Sequence, residues 1–152
     1  EVCIKGPNVM KGYWNRPEAT AEAIDELGWF HSGDIGYLDD EDFLYLCDRV
    51  KDMVITGGEN VYPAEIESVL YAHPAILEVA VIGLPDDKWG EAVTAIVVLE
   101  EGASLDLEDL RAFSGESLAR YKLPSELRII DVLPRNPAGK VQKFKLKEQF
   151  SV

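Results

Sequence analysis

Hydrophobic and polar positions alternate differently in the two parts of the chain, and the change falls near residue 49. Up to residue 48, short apolar runs alternate with turn residues, starting with EVCIKG and the loop KGYWNRPEAT and continuing into a short helical stretch over 19–24. The runs at Trp29–Phe30 and Phe43–Leu46 flank the acidic turn DDED, which indicates a β-hairpin. Two or three strands cannot bury both of their faces, so this part is expected to pack on further sequence.

From residue 49 onward the pattern predicts a longer series of strands and helices. The segment DRVKDMVITGGENVYP predicts a second hairpin, in which Gly57 and Gly58 supply the positive φ of a tight turn. A helix is expected to begin at Pro63 and to stop by Pro74, because apolar residues recur between them at helical spacing. The β runs ILEVAVIGLPD and EAVTAIVVLE follow, separated by the loop DDKWG.

The remaining segments predict one more helix, one more strand and a basic tail. Helical periodicity extends over 104–119, with Asp106 and Asp109 spaced as in an N-terminal cap. The strand LRIIDVL precedes the loop PRNPAGK and a short basic helix. This order of elements predicts an α+β fold with an antiparallel or mixed sheet and flanking helices.

Composition indicates a globular protein without a membrane-crossing helix. Hydrophobic residues make up 47% and charged residues 28% of the chain. The longest apolar runs, such as Ala92–Leu99, are far shorter than the ~20 residues that a bilayer requires. Because the chain opens at Glu1 within a strand-like segment, we expect it to be a piece of a longer protein. Cys3 and Cys47 lack CxxC spacing, which argues against a zinc site or a disulfide framework and favours a cytoplasmic location.

Charge is unevenly distributed. The formal net charge of -13 argues against nonspecific nucleic-acid binding, which needs clustered cations. Residues 139–152 are nevertheless basic, with one glutamate against four lysines: Lys140, Lys143, Lys145 and Lys147. This tail is either a solvated helix face or the binding site of an anionic ligand.

Four sequence blocks carry a family resemblance: GWFHSGD, DRVKDMVITGGENVYPAEIE, LARYKLP and PRNPAGKVQK. In this order and spacing they resemble the C-terminal part of adenylate-forming acyl-CoA synthetases, within the superfamily of AMP-binding enzymes. The resemblance implies that residues 1–48 are the β-rich end of a large ATP-binding domain. It also implies that residues 49–152 form a small, mobile C-terminal lid domain.

The resemblance also implies a reaction in two halves. A carboxylic acid, expected here to be a fatty acid, attacks ATP to give acyl-adenylate and pyrophosphate, and coenzyme A then displaces AMP. ATP would bring Mg2+ with it. The implied partners are therefore the small-molecule acid, ATP, coenzyme A and an upstream N-terminal domain, with peripheral membrane association of the parent protein left open.

Three residues match nucleotide-binding or hinge positions of the family. Asp34 matches the aspartate that binds the ribose of ATP, with a turn aspartate as the alternative. Arg49 matches an arginine near the ribose and phosphates, and its alternative is an ion pair with Asp48 or Asp52. Lys51 matches the position at which the lid domain pivots.

Lys140, in PAGK, matches the lysine that contacts the acid and the α-phosphate during adenylation. A cation at ~4 Å in a site of effective dielectric ~20 contributes ~4 kcal/mol, or about a thousandfold in rate. The other tail lysines, Lys143, Lys145 and Lys147, are expected to be surface charges.

Five residues match positions near the coenzyme A entrance: Gly57, Gly58, Trp89, Tyr121 and Lys122. The glycines would leave room for pantetheine, while the aromatic and cationic side chains would stack on adenine and pair with phosphate. Packing or plain exposure is an equal alternative for the last three.

Other chemistries find little support in the sequence. His31 and His73 lie far apart without ligand spacing, so no protein-bound metal is expected, and His31 receives no role. The phosphate-binding loop of the family is absent from the chain, so the fragment alone is expected to be inactive. The alternatives are an adenylation domain that loads a carrier-protein thiol, and a non-catalytic docking domain.

Overall fold

The computed structural model describes residues 1–151, and its internal contacts divide the chain into two units, Glu1–Lys51 and Asp52–Val152. The division falls three residues after the expected boundary between 48 and 49. The end of the predicted lid domain, Val152, lies outside the described residues. The two units are described separately below.

The first unit consists of two short strand pairs and one helix. Its elements are β1 (Cys3–Ile4), α1 (Pro17–Ala23), β2 (Phe30–His31), β3 (Asp34–Leu38) and β4 (Leu44–Arg49). β1 pairs with β2 and β3 pairs with β4, both antiparallel. A 3-10 turn over Val50–Asp52 follows β4.

The predicted hairpin around DDED is present, but its first strand is not the predicted one. Asp34–Leu38 pairs with β4, whereas Phe30 pairs with Ile4 of β1. Gly33 has a φ of +73° and interrupts the extended chain between β2 and β3, so Phe30 and Asp34 belong to different strands. The turn itself is closed by the Asp39 carboxylate, which accepts hydrogen bonds from the backbone N–H groups of Glu41 and Phe43 at 2.9 Å.

None of residues 1–51 is buried. The hairpin of β3 and β4 exposes a set of large apolar side chains: Tyr37, Leu38, Phe43, Leu44, Tyr45 and Leu46. This exposure is what the sequence predicted for a few strands that cannot enclose a core by themselves.

The second unit is an α+β layer built on one five-stranded sheet. Its strands are β5 (Val54–Thr56), β6 (Glu59–Val61), β7 (Ile76–Asp86), β8 (Gly90–Leu99) and β9 (Glu126–Ile129). The sheet order is β6-β5-β8-β7, and β9 pairs with β8 in parallel while the other pairs are antiparallel. Its helices are α2 (Pro63–Leu70), α3 (Leu107–Gly115) and α4 (Lys143–Phe150), with a 3-10 turn over Arg120–Lys122.

Local sequence explains most of these boundaries. Gly57 and Gly58 have φ values of +60° and +84° and form the two-residue turn between β5 and β6, as predicted. The Asp106 side chain caps α3 by accepting a hydrogen bond from Asp109 N at 2.9 Å. The helix predicted over 104–119 stops at Gly115, although Leu118 beyond it is still buried.

Both faces of the sheet are covered, which explains the nearly continuous apolar runs of β7 and β8. Val79 and Val81 face a core shared with α2 and α3, whereas Ala80 and Ile82 face a second core shared with α4. Alternate side chains of a strand point to opposite faces, so one strand contributes to both cores. In the described part of the chain, no helix has the length and apolar character needed to cross a membrane.

Candidate functional site

Asp34 and Arg49 lie opposite each other where β3 begins and β4 ends. They are register partners in the hairpin, and Arg49 Nε donates to Asp34 Oδ1 at 3.1 Å. Their side chains are 36% and 53% exposed, so a ligand can reach both. The structure therefore brings together the two residues predicted to bind nucleotide, and Arg49 forms an ion pair with Asp34.

The loop that carries Asp34 is held by short polar contacts. Ser32 Oγ donates to Val2 O at 2.7 Å and accepts from Asp34 N at 3.1 Å. Gly33 N donates to the Glu1 carboxylate at 2.9 Å, and Gly33 O accepts from Val50 N at 2.8 Å. Hydrogen bonds, rather than packing, thus fix the start of β3.

His31, which the sequence left without a role, belongs to this network. Its Nδ1 lies 2.8 Å from Glu1 Oε2, and its Nε2 lies 3.6 Å from Asp25 Oδ2. The hydrogen bond to Glu1 is the main cause that raises the pKa of His31. The same bond lowers the pKa of Glu1, while a hydrogen bond from Trp29 N is the main cause that lowers the pKa of Asp25.

Glu1, Cys3 and His31 also form a group with metal-ligand chemistry, because their ligand atoms lie within 4.8 Å of one another. The sequence could not indicate this group, since 28 residues separate Cys3 from His31 and pairing of β1 with β2 brings them together. The Glu1 carboxylate is already engaged by His31 and Gly33. The expectation that the protein holds no metal stays a prediction.

Lys51 is exposed and lies within the 3-10 turn over 50–52. The division between the two units falls directly after it. A single helical turn contributes few backbone hydrogen bonds, so it can change conformation at low cost.

Lys140 lies in a tight loop between the 134–135 segment and α4. Asn136 Oδ1 accepts hydrogen bonds from Ala138 N at 3.0 Å and from Lys140 N at 2.9 Å. Asn136 N donates to Lys140 O at 2.9 Å, and Arg135 donates to Gly139 O at 2.7 Å. The backbone of Lys140 is thus fixed, while its side chain is exposed and, within residues 1–151, its ammonium makes no hydrogen bond or ion pair.

A cavity of about 570 Å³ opens in the second unit beside the β5–β6 turn. It contains three of the predicted coenzyme A residues and two arginines that the sequence did not single out. Its lining residues are Thr56, Gly57, Glu59, Trp89, Val93, Arg111, Arg120, Tyr121, Leu123 and Ser125. Arg111, on α3, lies in no motif, and Arg120, on the turn after α3, lies within the LARYKLP block without a predicted role. Only their position in the fold therefore reveals them.

Trp89 forms one wall of this cavity and lies against the β5–β6 turn. Gly57 N donates to Trp89 O at 2.8 Å, and a Cβ at Gly57 would lie 3.0 Å from the Trp89 ring. A Cβ at Gly58 would meet nothing within 4 Å, and Gly58 does not line the cavity. The two glycines therefore differ. Both form the turn, but only Gly57 also leaves room for the Trp89 ring.

Lys122 is engaged elsewhere. Its ammonium lies 2.6 Å and 2.7 Å from the two carboxylate oxygens of Glu65, and this hydrogen bond raises the pKa of Lys122. The side chain is 18% exposed and does not line the cavity. Its predicted contact with a phosphate would require it to leave Glu65.

The expectation of surface charges in the tail is wrong for Lys143. Its ammonium lies 2.7 Å from Glu67 Oε1, which also accepts from Val81 N at 2.7 Å, and its side chain is only 16% exposed. Lys147 lies 4.0 Å from Glu91, whereas Lys145 is exposed. The tail helix is therefore tied by Lys143 to the half-buried Glu67 of α2, whose carboxylate also accepts a hydrogen bond from β7.

Known proteins resemble the chain over nearly its whole length. It is 55% identical over 151 residues to the long-chain-fatty-acid–CoA ligase FadD13 of Mycobacterium tuberculosis, which covers 99% of this chain. It is 54% identical over 147 residues, or 97% of this chain, to the 2-succinylbenzoate–CoA ligase of Geobacillus kaustophilus. The chain spans only 30% of the length of each of these curated relatives.

A solved structure with the same fold is ATP-bound MatB from Rhodopseudomonas palustris. The TM-score is 0.88 at 46% identity, and the alignment covers 97% of this chain and 29% of that one. This likeness confirms the predicted α+β fold class. Residues 65–140 match the family model for the C-terminal domain of AMP-binding enzymes. Because this match spans half of its residues, the chain belongs to the AMP-binding enzyme C-terminal domain family.

Proposed function

We propose that this chain is the C-terminal part of an enzyme that ligates a carboxylic acid to coenzyme A with ATP, through an acyl-adenylate. The observation that carries the proposal is the exposed Lys140 ammonium, which makes no ion pair in the described chain and projects from a fixed loop at the end of the family match. The relatives named as acid–CoA ligases support the reaction class.

Lys140 would act during adenylation. Negative charge builds on the carboxylate and α-phosphate oxygens as they react, and a fixed cation stabilises that charge more than it stabilises the separate reactants. A lysine already paired with a carboxylate would first have to break that pair. Lys140 has no such cost within residues 1–151.

Asp34 and Arg49 would bind the ribose and phosphate side of ATP. A carboxylate accepts hydrogen bonds from two vicinal hydroxyls, and Arg49, 3.1 Å away, offers further N–H donors to oxygens. Magnesium would arrive with ATP. The metal-ligand group of the described residues contains a thiol and an imidazole, a donor set that does not suit Mg2+.

The cavity beside Gly57 and Trp89 would receive coenzyme A in the second half of the reaction. Trp89 and Tyr121 provide aromatic faces for adenine or pantetheine, and Arg111 and Arg120 provide cations for its phosphates. Lys51, in the 3-10 turn between the units, would be the residue about which the lid turns between the two halves.

The acid is proposed to be a fatty acid and the location cytoplasmic. The first proposal rests on the GGENVYPAEIE block and on the similarity to FadD13. The similarity to a 2-succinylbenzoate–CoA ligase makes an aromatic acid the competing substrate class. A panel of fatty, aromatic and dicarboxylic acids presented to the full-length enzyme distinguishes these classes.

The test of the proposed function is acid-dependent ATP–pyrophosphate exchange in the full-length enzyme. Lys140→Ala should reduce exchange by about two to three orders of magnitude, while thioester formation from preformed acyl-adenylate is spared. Lys145→Ala, which removes an exposed lysine of the same tail, is the matched control and should leave exchange unchanged.

Equal exchange by Lys140→Ala and Lys145→Ala would overturn the catalytic role of Lys140. The 152-residue chain alone should give no exchange. If acyl groups reach a phosphopantetheinyl carrier protein but not coenzyme A, the carrier-loading alternative replaces the ligase.

A further inference from the structure

The loop that presents Lys140 contains one peptide group that is held at both of its ends. This group joins Gly139 to Lys140: its carbonyl oxygen accepts from Arg135 Nη1 at 2.7 Å, and its N–H donates to Asn136 Oδ1 at 2.9 Å. A peptide plane fixed at both ends cannot rotate about its flanking bonds. The direction in which Lys140 leaves the backbone is therefore set by two neighbouring side chains.

This restraint matters because Gly139, although its N–H donates to Asn136 O at 2.9 Å, has no side chain to restrict the peptide that follows it. Its φ is +81°, and a Cβ built on it would meet nothing within 4 Å, so its surroundings impose no packing limit. Glycine populates several backbone regions about equally well. Without the bond from Arg135, the 139–140 peptide would keep its contact with Asn136 but would lose the restraint on its carbonyl end.

Arg135 is itself anchored to the sheet. Its Nη2 donates to Glu78 Oε1 at 2.9 Å, and Glu78 is on β7, beside the buried Val79. The two side chains are 37% and 30% exposed, so the pair is accessible but partly shielded. The guanidinium thus joins the Gly139 carbonyl to a strand of the unit's main sheet through two separate nitrogens.

We propose that Arg135, held by Glu78, is a positioning residue that orients the 139–140 peptide and thereby directs Lys140 into the adenylation site. The inference rests on the proposed function of Lys140 and extends it to Arg135 and Glu78, which hold the loop. A lysine at 135 would keep the charge but lose the planar fork, so it could not hold Gly139 O and Glu78 in the same geometry.

The proposal predicts a selective kinetic defect in the full-length enzyme. Arg135→Ala should lower kcat for adenylation about 10- to 100-fold, because small misplacements of a catalytic group have effects of this size. The KM for ATP should stay within about threefold, and thioester formation from preformed acyl-adenylate should be unchanged. Arg135→Lys should recover only part of the loss, and Glu78→Gln should show a smaller defect of the same kind.

Arg128→Ala is the matched control, because it also removes an arginine from an exposed ion pair, with Glu126 at 2.7 Å, in the same unit. It should leave both half-reactions unchanged. In the Lys140→Ala background, Arg135→Ala should cause no further loss, since a residue that acts by directing Lys140 has no effect once Lys140 is gone.

The outcomes distinguish failure of the proposed function from failure of the positioning role of Arg135. If the wild-type enzyme gives no acid-dependent exchange, the proposed function fails. If Lys140→Ala leaves exchange intact, the proposed role of Lys140 fails. If Lys140→Ala abolishes adenylation while Arg135→Ala matches the wild type, only the positioning role fails. Equal loss of both half-reactions in Arg135→Ala, or a further loss in the double variant, would mean that Arg135 supports the fold or acts directly rather than positioning Lys140.

Discussion

The two units differ in what holds their candidate residues in place. In the second unit, two cores on opposite faces of one sheet support the Lys140 loop and the Trp89 cavity. In the first unit no residue is buried, and hydrogen bonds that involve Glu1, Ser32 and Gly33 hold the segment that begins with Asp34. The second unit therefore has cores of its own, whereas Asp34 and Arg49 depend on polar contacts and on an exposed apolar hairpin.

This difference is consistent with the proposed roles, in which the second unit moves and the first unit binds nucleotide. A domain that changes position during a reaction must keep its shape while it moves, which requires a core of its own. A hairpin that exposes Tyr37 and Leu46 is expected to pack on a larger body. The comparison can be tested by perturbing each unit in matched ways.

Truncation of core side chains should give the largest contrast. Ile96 is fully buried in the sheet of the second unit, and Ile96→Ala should lower the free energy of unfolding of that unit by about 2–5 kcal/mol. Leu46, on the exposed hairpin, is 63% exposed, and Leu46→Ala should change stability by less than about 0.5 kcal/mol in this chain. Urea denaturation followed by backbone amide signals from each unit measures both. Similar effects for the two variants would remove the distinction between the units.

The Lys143–Glu67 pair should give the next largest effect. Lys143→Met removes a charge-assisted hydrogen bond at 2.7 Å to a carboxylate that also accepts from Val81 N, so about 1–3 kcal/mol of unfolding free energy should be lost. Lys145→Met, at an exposed position two residues away, should change stability by less than about 0.5 kcal/mol. Thermal melts of the two variants provide the measurement. Equal melting temperatures would show that the tail helix is anchored by Leu146 packing alone.

Substitutions in the β5–β6 turn should have a smaller effect on stability, and they allow Gly57 to be compared with Gly58. Ala at position 57 or 58 should cost about 1–2 kcal/mol in either case, because both residues have positive φ. Gly57→Ala should in addition displace the Trp89 ring, which a Cβ would approach to 3.0 Å, while Gly58→Ala should leave it in place. Trp89 fluorescence, measured with Trp14 and Trp29 replaced by Phe, distinguishes them. A shifted spectrum in Gly58→Ala alone would contradict the assigned roles.

Local chemistry explains which parts of the fold the sequence could predict. The β5–β6 turn and the Asp106 cap depend on neighbouring residues, and both were predicted correctly. The partner of Phe30 was predicted wrongly, because its strand pairs with Ile4, 26 positions away, and no local pattern specifies that pairing. The α3 helix was predicted too long because Leu118 is buried by tertiary packing beyond the helix end.

The sequence likewise predicted only part of the candidate site. Family resemblance indicated Lys140, Asp34 and Arg49 from motifs alone, and the ion pair between the last two follows from hairpin register. The Lys143–Glu67 contact joins residues 76 positions apart, so no motif could indicate it. Arg135 lies inside the PRNPAGKVQK block, but its hydrogen bond to Gly139 O forms only in the folded loop.

The smallest expected effect concerns the polar network of the first unit. The hydrogen bond to Glu1 raises the pKa of His31 above its usual ~6.5, so His31 should stay protonated to a higher pH than a free histidine. The stabilising contribution of this protonated form is fully present below pH ~6.5 and is lost as pH rises through the raised pKa of His31. On the acidic side it is lost as pH falls through the lowered pKa values of Glu1 and Asp25.

An NMR titration of the His31 ring in this chain measures the effect. Glu1→Ala should lower the pKa of His31, because it removes the main partner of the imidazolium, and Asp25→Asn should lower it less, since its carboxylate is 3.6 Å away. Glu22→Ala, on the exposed side of α1, is the matched control and should leave the titration unchanged. A His31 pKa that is the same with and without Glu1 would mean that the Glu1 carboxylate does not hold His31 in solution.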